Sequence, residues 1–137
     1  MTAVSNADKV NDYDGEGNTN KLIQFNSDYN TNSTTYAAPY CKAFVFPSGI
    51  GNGYLPAWAE FNMAYSNITA VNQCISAAGG TALSNTDKHY YYSSTFSGID
   101  GNQVRAMRDF NNQYNEMGLY RYANDVYIRV FSKINLQ

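Results

Sequence analysis

The chain has 137 residues, the length of one globular domain, and its 9 basic and 11 acidic residues leave a formal net charge of −2. Charged residues make up only 15% of the sequence, against about a quarter in an average protein, and Asn, Ser, Thr and Gly supply the polarity instead. The Lys and Arg residues form no run that could bind nucleic acid, and no apolar stretch is long enough for a membrane helix. This neutral polar composition favours an extracellular or virion-exposed protein over a cytosolic enzyme.

The N-terminal part of the sequence predicts a short lead-in and a loop. Residues 1–11 contain nothing to bury, so we expect a flexible lead-in to a single domain that spans residues 12–137. The segment DYDGEGNTN at 12–20 is typical of a turn-rich loop. The apolar run that follows, 22–25, is too short to assign to a helix or a strand from its pattern.

Two helices are predicted in the next part of the chain. The segment 36–44 has helical composition, and Pro39 is tolerable there only near the first turn, where backbone N–H groups have no helical partner anyway. After a glycine-rich turn at 49–53, Pro56 marks the start of a helix over 54–65. Its apolar stripe consists of Leu55, Trp58, Phe61 and Tyr65.

A third predicted helix follows directly. Its apolar face contains Ile68, Val71 and Ile75, and the pair Gly79 and Gly80 is a standard signal for its end. Aromatic residues in periodic segments are expected in the core. They are Trp58, Phe61, Phe96, Phe110 and Phe131.

From residue 89 onward the apolar period changes to two. This pattern predicts strands at 90–96, 103–110 and 126–134. The last of them is apolar on both faces, which predicts a central position in the sheet. Because helices come first and consecutive strands follow, the sequence predicts an α+β class with an antiparallel sheet.

The segment 111–125 has no secondary-structure period that explains its Tyr and Met residues. The whole chain contains 13 Tyr, against one Trp and one His. Tyr supplies a large amphipathic contact at low entropic cost, while small polar residues adapt their hydrogen bonds, as in antibody paratopes. The sequence therefore predicts a binding surface on a rigid β scaffold. A disordered or self-packing loop is the alternative.

Alternation along 103–110 divides its residues between two faces. Arg108 interrupts an otherwise apolar row on one of them, so the pattern does not decide which face is buried. We expect Arg105, Met107 and Asp109 to lie on the ligand face. The predicted ligand-binding residues are Tyr92, Asp100, Asn102, Arg105, Met107, Asp109, Asn111, Tyr114, Asn115, Tyr120, Tyr122 and Asn124.

Five segments taken in order resemble one family. They are DGEGNTNKLI at 14–23, YAAPYC at 36–41, YLPAWAEF at 54–61, YYYSSTF at 90–96 and VYIRVF at 126–131. Together they resemble the DUF1566 family of C-type-lectin-fold domains, although Tyr91 or Tyr92 stands where the family usually has Trp, and the region between Asn102 and Asp125 is atypical. The resemblance implies a C-type lectin fold, with two or three helices against a twisted antiparallel sheet with long loops.

The resemblance also implies a function. Some members of this fold are similar to the variable proteins of diversity-generating retroelements, in which adenine-directed mutagenesis scatters Asn, Tyr, Asp, Ser and Ile over the C-terminal surface. The residue mix at 97–124 resembles such an output. We therefore expect a non-catalytic receptor-binding domain on a phage tail tip or a bacterial cell surface, outside the cell, whose partner is a surface protein or glycan. The alternative is a structural tip module that forms a homo-oligomer through its Tyr-rich face.

Few residues are candidates for metal binding or catalysis. The spacing of Asp12, Asp14 and Glu16 is similar to the start of a calcium loop, but Ile23 occupies the position of the bidentate Glu, so we expect no metal and no cofactor. His89 is the only histidine. The hydroxyls of 93–95 have no base nearby in sequence and are interpreted as strand hydrogen-bonders, so no enzyme is expected.

The two cysteines, Cys41 and Cys74, both fall in predicted helices. Buried, inert thiols are the expected state for both, and a disulfide between them is the alternative.

Overall fold

The computed structural model describes residues 11–28, 36–46, 51–83, 90–96, 103–108, 116–120 and 127–133. Within them lie four helices and three strands, which confirms a mixed class of helices and strands. The helices are α1 (Gly15–Asp28), α2 (Ala37–Ala43), α3 (Trp58–Ser66) and α4 (Ile68–Ala77). The strands are β1 (Tyr90–Phe96), β2 (Gln103–Arg108) and β3 (Glu116–Tyr120). The predicted lead-in lies outside the described residues except for Asn11.

The prediction of a loop at 12–20 is wrong from Gly15 onward, because α1 begins there, whereas residues 12–14 precede the helix. Asp14 caps the helix: its Oδ1 atom accepts a hydrogen bond from the backbone N–H of Gly17 at 3.0 Å. The spacing that resembles a calcium loop is thus the start of a helix.

The inner face of α1 explains why 22–25 could not be assigned from its apolar run. Thr19, Leu22 and Ile23 follow the spacing i, i+3, i+4 of one helix face. Thr19 and Leu22 are buried, and Ile23 packs beside them. One position of this buried face is the polar residue Thr19, so counting apolar residues alone does not reveal the face.

Helix α2 agrees with its prediction, and Pro39 is its third residue. Helix α3 begins at Trp58, four residues later than predicted, and Pro56 lies before its N-cap residue Ala57. The segment before α3 is held in extended form, since Tyr54 exchanges two backbone hydrogen bonds with Phe131, at 2.9 and 3.0 Å. Tertiary pairing therefore overrides the helical pattern there.

Helix α4 ends where the sequence predicts. Gly79 has φ of +74°, and its N–H donates to the Ser76 carbonyl at 3.0 Å. The N–H of Gly80 donates to the Ile75 carbonyl at 2.8 Å. This pair of bonds closes the helix in a Schellman motif, which requires the left-handed conformation that glycine adopts without strain.

The three strands form one antiparallel sheet in the order β1-β2-β3. The prediction at 90–96 is confirmed, and β2 covers the predicted strand as far as Arg108. Strand β3 lies inside the segment that we expected to have no regular structure, so that expectation is wrong for 116–120.

The prediction of a central strand at 126–134 is wrong for its described residues, 127–133. They form two isolated bridges, a parallel one between Tyr127 and Tyr91 and an antiparallel one between Phe131 and Tyr54. The apolar residues of this segment nevertheless pack against two groups of buried residues: Ile128 and Val130 against one, and Phe131 against the other.

The core has two clusters on opposite sides of β1. The first cluster contains Leu22, Ala38, Cys41, Leu55 and Tyr92, with Ile128 and Val130 packed against it. The second cluster contains Trp58, Phe61, Leu83 and Tyr91, with Phe131 packed against it. The core positions predicted for Trp58, Phe61 and Phe131 are confirmed, whereas Phe110 and the Phe96 side chain lie outside the described part of the chain. Among the described helices, none combines the length and apolar character needed to span a membrane.

Candidate functional site

A hydrogen-bonded junction connects the segments that carry the family resemblance. The hydroxyl of Thr95 on β1 donates to the Asp12 Oδ2 atom at 2.7 Å, and its oxygen accepts from the backbone N–H of Trp58 at 2.8 Å. The side-chain amide of Asn18 donates to the Asp12 carboxylate at 3.0 Å. The interpretation of Thr95 as a hydrogen-bonding residue is confirmed, and its bonds join the start of α1, the start of α3 and β1.

The residues before α3 are held from both sides by the same junction. The N–H of Leu55 donates to the Thr19 hydroxyl oxygen at 2.9 Å. That hydroxyl lies 2.7 Å from the carbonyl of Gly15, to which it can donate. On the other side, the N–H of Ser94 donates to the carbonyl of Pro56 at 2.7 Å. Residues of the segments quoted for the resemblance thus bind one another, which gives them a structural role.

Glu60 is the buried acid of the junction and is 7% exposed. Its carboxylate accepts hydrogen bonds from the Tyr54 hydroxyl at 3.1 Å and from the Ala57 N–H at 2.7 Å. Burial raises the pKa of Glu60, and these two hydrogen bonds act in the opposite direction. The pKa of Tyr54 is also raised, first by burial and then by the charge of Glu60. Both carboxylate oxygens bind groups of the chain itself, so the arrangement stabilises the start of α3.

The acidic residues near α1 also have structural partners. Asp14 caps the helix, and Glu16 forms ion pairs with Lys42 at 3.7 Å and with Lys133 at 3.8 Å. In the ranges that the structure describes, His, Cys, Asp and Glu residues form no group of three or more that could hold a metal ion. His89 lies outside these ranges.

The two cysteines differ in their surroundings. Cys41 and Cys74 are both free thiols, so the disulfide alternative is wrong. Cys41 is fully buried, as expected, and burial raises its pKa to about 12. Cys74 is exposed on α4, so its predicted burial is wrong.

The structure places four of the predicted ligand-binding residues. Tyr92 is 7% exposed and belongs to the first core cluster, which leaves almost no surface for a ligand; this corrects its assignment to the ligand face. Arg105 and Met107 lie on β2 and Tyr120 lies on β3. The other predicted residues lie outside the described part of the chain. They are Asp100, Asn102, Asp109, Asn111, Tyr114, Asn115, Tyr122 and Asn124.

The strand register assigns the residues of β2 and β3 to two faces. Directly opposed residues in an antiparallel pair occupy the same face, and Arg105 is paired with Gly118. We call this side the polar face; its positions are Gln103, Arg105, Met107, Glu116, Gly118 and Tyr120. The opposite, apolar face contains Val104, Ala106, Met117 and Leu119.

Each face continues onto β1. Met107 is paired with Tyr91, and Ala106 is paired with Tyr92. The ring of Tyr91 contacts that of Phe61 on α3, with 6.0 Å between the ring centres, so α3 covers the polar side of the sheet at β1. Helix α3 also packs against β2. Because the strand order is β1-β2-β3, the part of the polar face on β3 is farthest from α3.

Sequence reasoning missed three positions of the polar face, namely Gln103, Glu116 and Gly118. The alternation of polar or small residues with Met117 and Leu119 along 116–120 is a strand signal that could have revealed them.

Comparison with known proteins gives no match: no family model, no curated protein and no solved structure is similar to this chain.

Proposed function

We propose that this chain is a non-catalytic recognition domain of the C-type lectin fold, and that the polar face, where it extends beyond α3 toward β3, is part of its ligand face. The observation that supports this proposal is the register of the two strands. It relates Tyr120 to Arg105 and Met107, which precede it by 15 and 13 residues in the sequence. Three residues expected to bind a ligand thus occupy one face, while their immediate neighbours on the apolar face are suited to burial.

The residue types on this face suit protein or glycan recognition. Tyr, Met and Arg are enriched in the centres of interfaces, where they supply most of the binding energy. The predicted residues outside the described ranges flank β2 and β3 directly in sequence. The buried junction around Thr95 and Glu60 supplies a scaffold formed by other segments of the chain. Such a scaffold lets the surface change while the fold is kept.

The biological role that follows is recognition of a host-cell or surface receptor by a phage tail tip or a bacterial surface protein, outside the cell. In this proposal a diversity-generating retroelement varies the ligand face. The test is to sequence the gene and its neighbours in a natural population. We expect a reverse transcriptase gene beside a near-copy of the 3′ coding end that differs at adenines. Substitutions should fall at Arg105, Met107 and Tyr120 and spare Val104 and Ala106; an even spread over both faces would contradict the proposal.

Binding is measured on a glycan array and on a panel of intact bacterial cells. We expect binding by the unchanged protein to be lost when Tyr114 and Tyr120 are both replaced by Ala. Tyr40→Ala is the matched control, because Tyr40 is 49% exposed on α2 and lies outside the ligand face. Equal loss in the control would show that the effect is not specific to this face.

The alternative, an oligomerising tip module, makes a different prediction for sedimentation. It requires a stable oligomer that dissociates when Tyr114 and Tyr120 are replaced. The recognition domain requires an oligomeric state that these replacements leave unchanged.

A further inference from the structure

Residues 127–133, which we call the C-terminal strap, fill a slot between β1 and the segment before α3. On one side of the slot, the N–H of Tyr92 on β1 donates to the carbonyl of Tyr127 at 3.0 Å. On the other side, Phe131 exchanges two backbone hydrogen bonds with Tyr54. Apolar side chains of the strap pack against both core clusters. The slot is therefore complementary to this segment of the chain in its hydrogen bonds and in its packing.

The strap runs parallel to β3, the strand that precedes it in sequence. Strands β1 and β3 are both antiparallel to β2, so they are parallel to each other. The bridge between Tyr91 and Tyr127 makes the strap parallel to β1 as well. Parallel strands of one sheet are normally joined by about a dozen residues or more. Six residues, 121–126, lie between β3 and the strap, so the connection is short for a crossover within one chain.

The register of the sheet gives the distance that this connection has to cover. Tyr120 is paired with Gln103 of β2. Tyr91, beside which Tyr127 lies, is paired with Met107, four residues farther along β2. Strand geometry then separates Tyr120 from Tyr127 by about 20 Å, with about 14 Å along the strands and about 14 Å across three strand spacings.

The reach of the chain is hardly greater than this distance. From position 120 to position 127 the chain takes seven residue steps, and a fully extended chain of that length spans about 23–25 Å. Because β2 and β1 lie between β3 and the strap, the path also has to rise over one face of the sheet. The distance between the two ends thus leaves almost no slack.

We propose that two copies of the chain exchange their C-terminal straps, so that each strap fills the slot of the other copy. Domain exchange retains every contact of the slot, and a short connection under tension favours it because the exchange releases the tension. The partner is a second copy of this chain, because a second copy carries a strap with the same hydrogen-bonding groups and the same apolar side chains. This inference does not depend on the ligand face.

Two ion pairs on Glu16 allow the exchange to be measured on the unchanged full chain. One carboxylate oxygen lies 3.8 Å from Lys133 of the strap, and the other lies 3.7 Å from Lys42 of α2. A carbodiimide joins such pairs through an amide bond and takes up the water that is released. Unlabelled chains and nitrogen-15 chains are mixed in equal amounts, unfolded, refolded together at high concentration and cross-linked. Mass spectrometry then shows whether two linked peptides carry the same label.

We expect a dimer in which about half of the links between Glu16 and Lys133 join different labels, because random pairing makes about half of the dimers mixed. Links between Glu16 and Lys42 are the internal control. They should join equal labels only, because both residues lie outside the strap. Equal labels in all links between Glu16 and Lys133, from a monomer or from a dimer of another kind, would overturn the proposal.

A longer connection tests why the strap is exchanged. Insertion of four Gly-Ser pairs between Ala123 and Asn124 should convert most of the dimer to monomer, because each strap can then reach its own slot. The same insertion between Gly80 and Thr81 is the matched control and should leave the dimer in place. Sedimentation velocity measures both variants. A dimer that the first insertion leaves unchanged would contradict the proposal. Replacement of tyrosines on the ligand face should not dissociate the exchanged dimer, unlike an oligomer formed through that face.

Discussion

The hydroxyl of Tyr54 donates a hydrogen bond to the buried carboxylate of Glu60 at 3.1 Å, and this pair lies where α1 and α3 meet. Since burial raises the pKa of Glu60, the folded state binds a proton more tightly than the unfolded state does. The contribution of this group to stability is therefore complete below its unfolded pKa and is lost as the pH rises through its folded pKa.

Glu60→Gln should remove this dependence. The amide oxygen of the substituted side chain can still accept a hydrogen bond from the Ala57 N–H, and its amide N–H can donate one to the hydroxyl oxygen of Tyr54. We expect the variant to become more stable relative to the unchanged protein as the pH rises from about 4 to about 7, so that the free energy of unfolding of the variant minus that of the unchanged protein increases. Urea unfolding at both pH values measures it. Glu60→Ala is the control, because it leaves both donors without their acceptor and should destabilise the protein at either pH. A difference that does not vary with pH would contradict the raised pKa.

Thr95→Val should destabilise the protein by about 1–3 kcal/mol, since the isosteric side chain leaves the Trp58 N–H without its acceptor in a buried site. Thr95→Ser keeps the hydroxyl and should recover part of the loss. Thr69→Val, at an exposed position on α4, is the control and should change stability by less than about 0.5 kcal/mol. Chemical denaturation of the three variants is the measurement. Equal effects for Thr95→Val and Thr69→Val would show that the junction contributes little.

Gly15→Ala tests the close approach between α1 and the residues before α3. A Cβ atom at Gly15 would touch the Glu60 carboxylate and lie 2.7 Å from the backbone nitrogen of Ala57, so we expect a loss of about 1–3 kcal/mol or more. Gly79 differs, because a Cβ atom there meets nothing within 4 Å but φ is +74°. Gly79→Ala should therefore cost about 1 kcal/mol from backbone strain alone, and Gly79→Asn less. Thermal unfolding gives the order, and a Gly15→Ala variant as stable as Gly79→Asn would rule out the close approach.

The cysteines should differ in their reaction with a thiol reagent. Cys74 is exposed and should react in the native protein, whereas Cys41 is fully buried with a pKa of about 12 and should react only when the chain unfolds. Mass spectrometry after brief labelling, with and without denaturant, identifies the labelled residue. Native labelling of Cys41 at the rate of Cys74 would contradict the packing of the first core cluster.

The sequence was most informative where local signals and tertiary packing agree. The glycines after α4 and the alternation in β1 predicted their elements because one physical requirement dominates each. At Tyr54 local composition favoured a helix, but hydrogen bonds with Phe131, distant in sequence, hold the segment extended. The buried face of α1 was missed because it includes Thr19. Hydrogen bonds allow this polar residue to be buried, and a hydrophobicity pattern does not report them.

The candidate site was predicted only in part, for a related reason. Alternation assigned Arg105 and Met107 to one face of β2, but it could not relate them to Tyr120, which requires the register of β3. Tyr92 is among the predicted ligand-binding residues, but it is buried. In the structure both sides of β1 are buried, so adjacent tyrosines pack in different core clusters.

The separation between scaffold and ligand face is tested most directly by comparing Tyr92→Ala with Tyr120→Ala in urea unfolding. Tyr92 is packed in the first core cluster, so its replacement should cost about 3–5 kcal/mol. Tyr120 is assigned to the ligand face, so its replacement should cost less than about 1 kcal/mol. A loss for Tyr120→Ala as large as that for Tyr92→Ala would mean that Tyr120 supports the fold, and the proposed ligand face would be wrong.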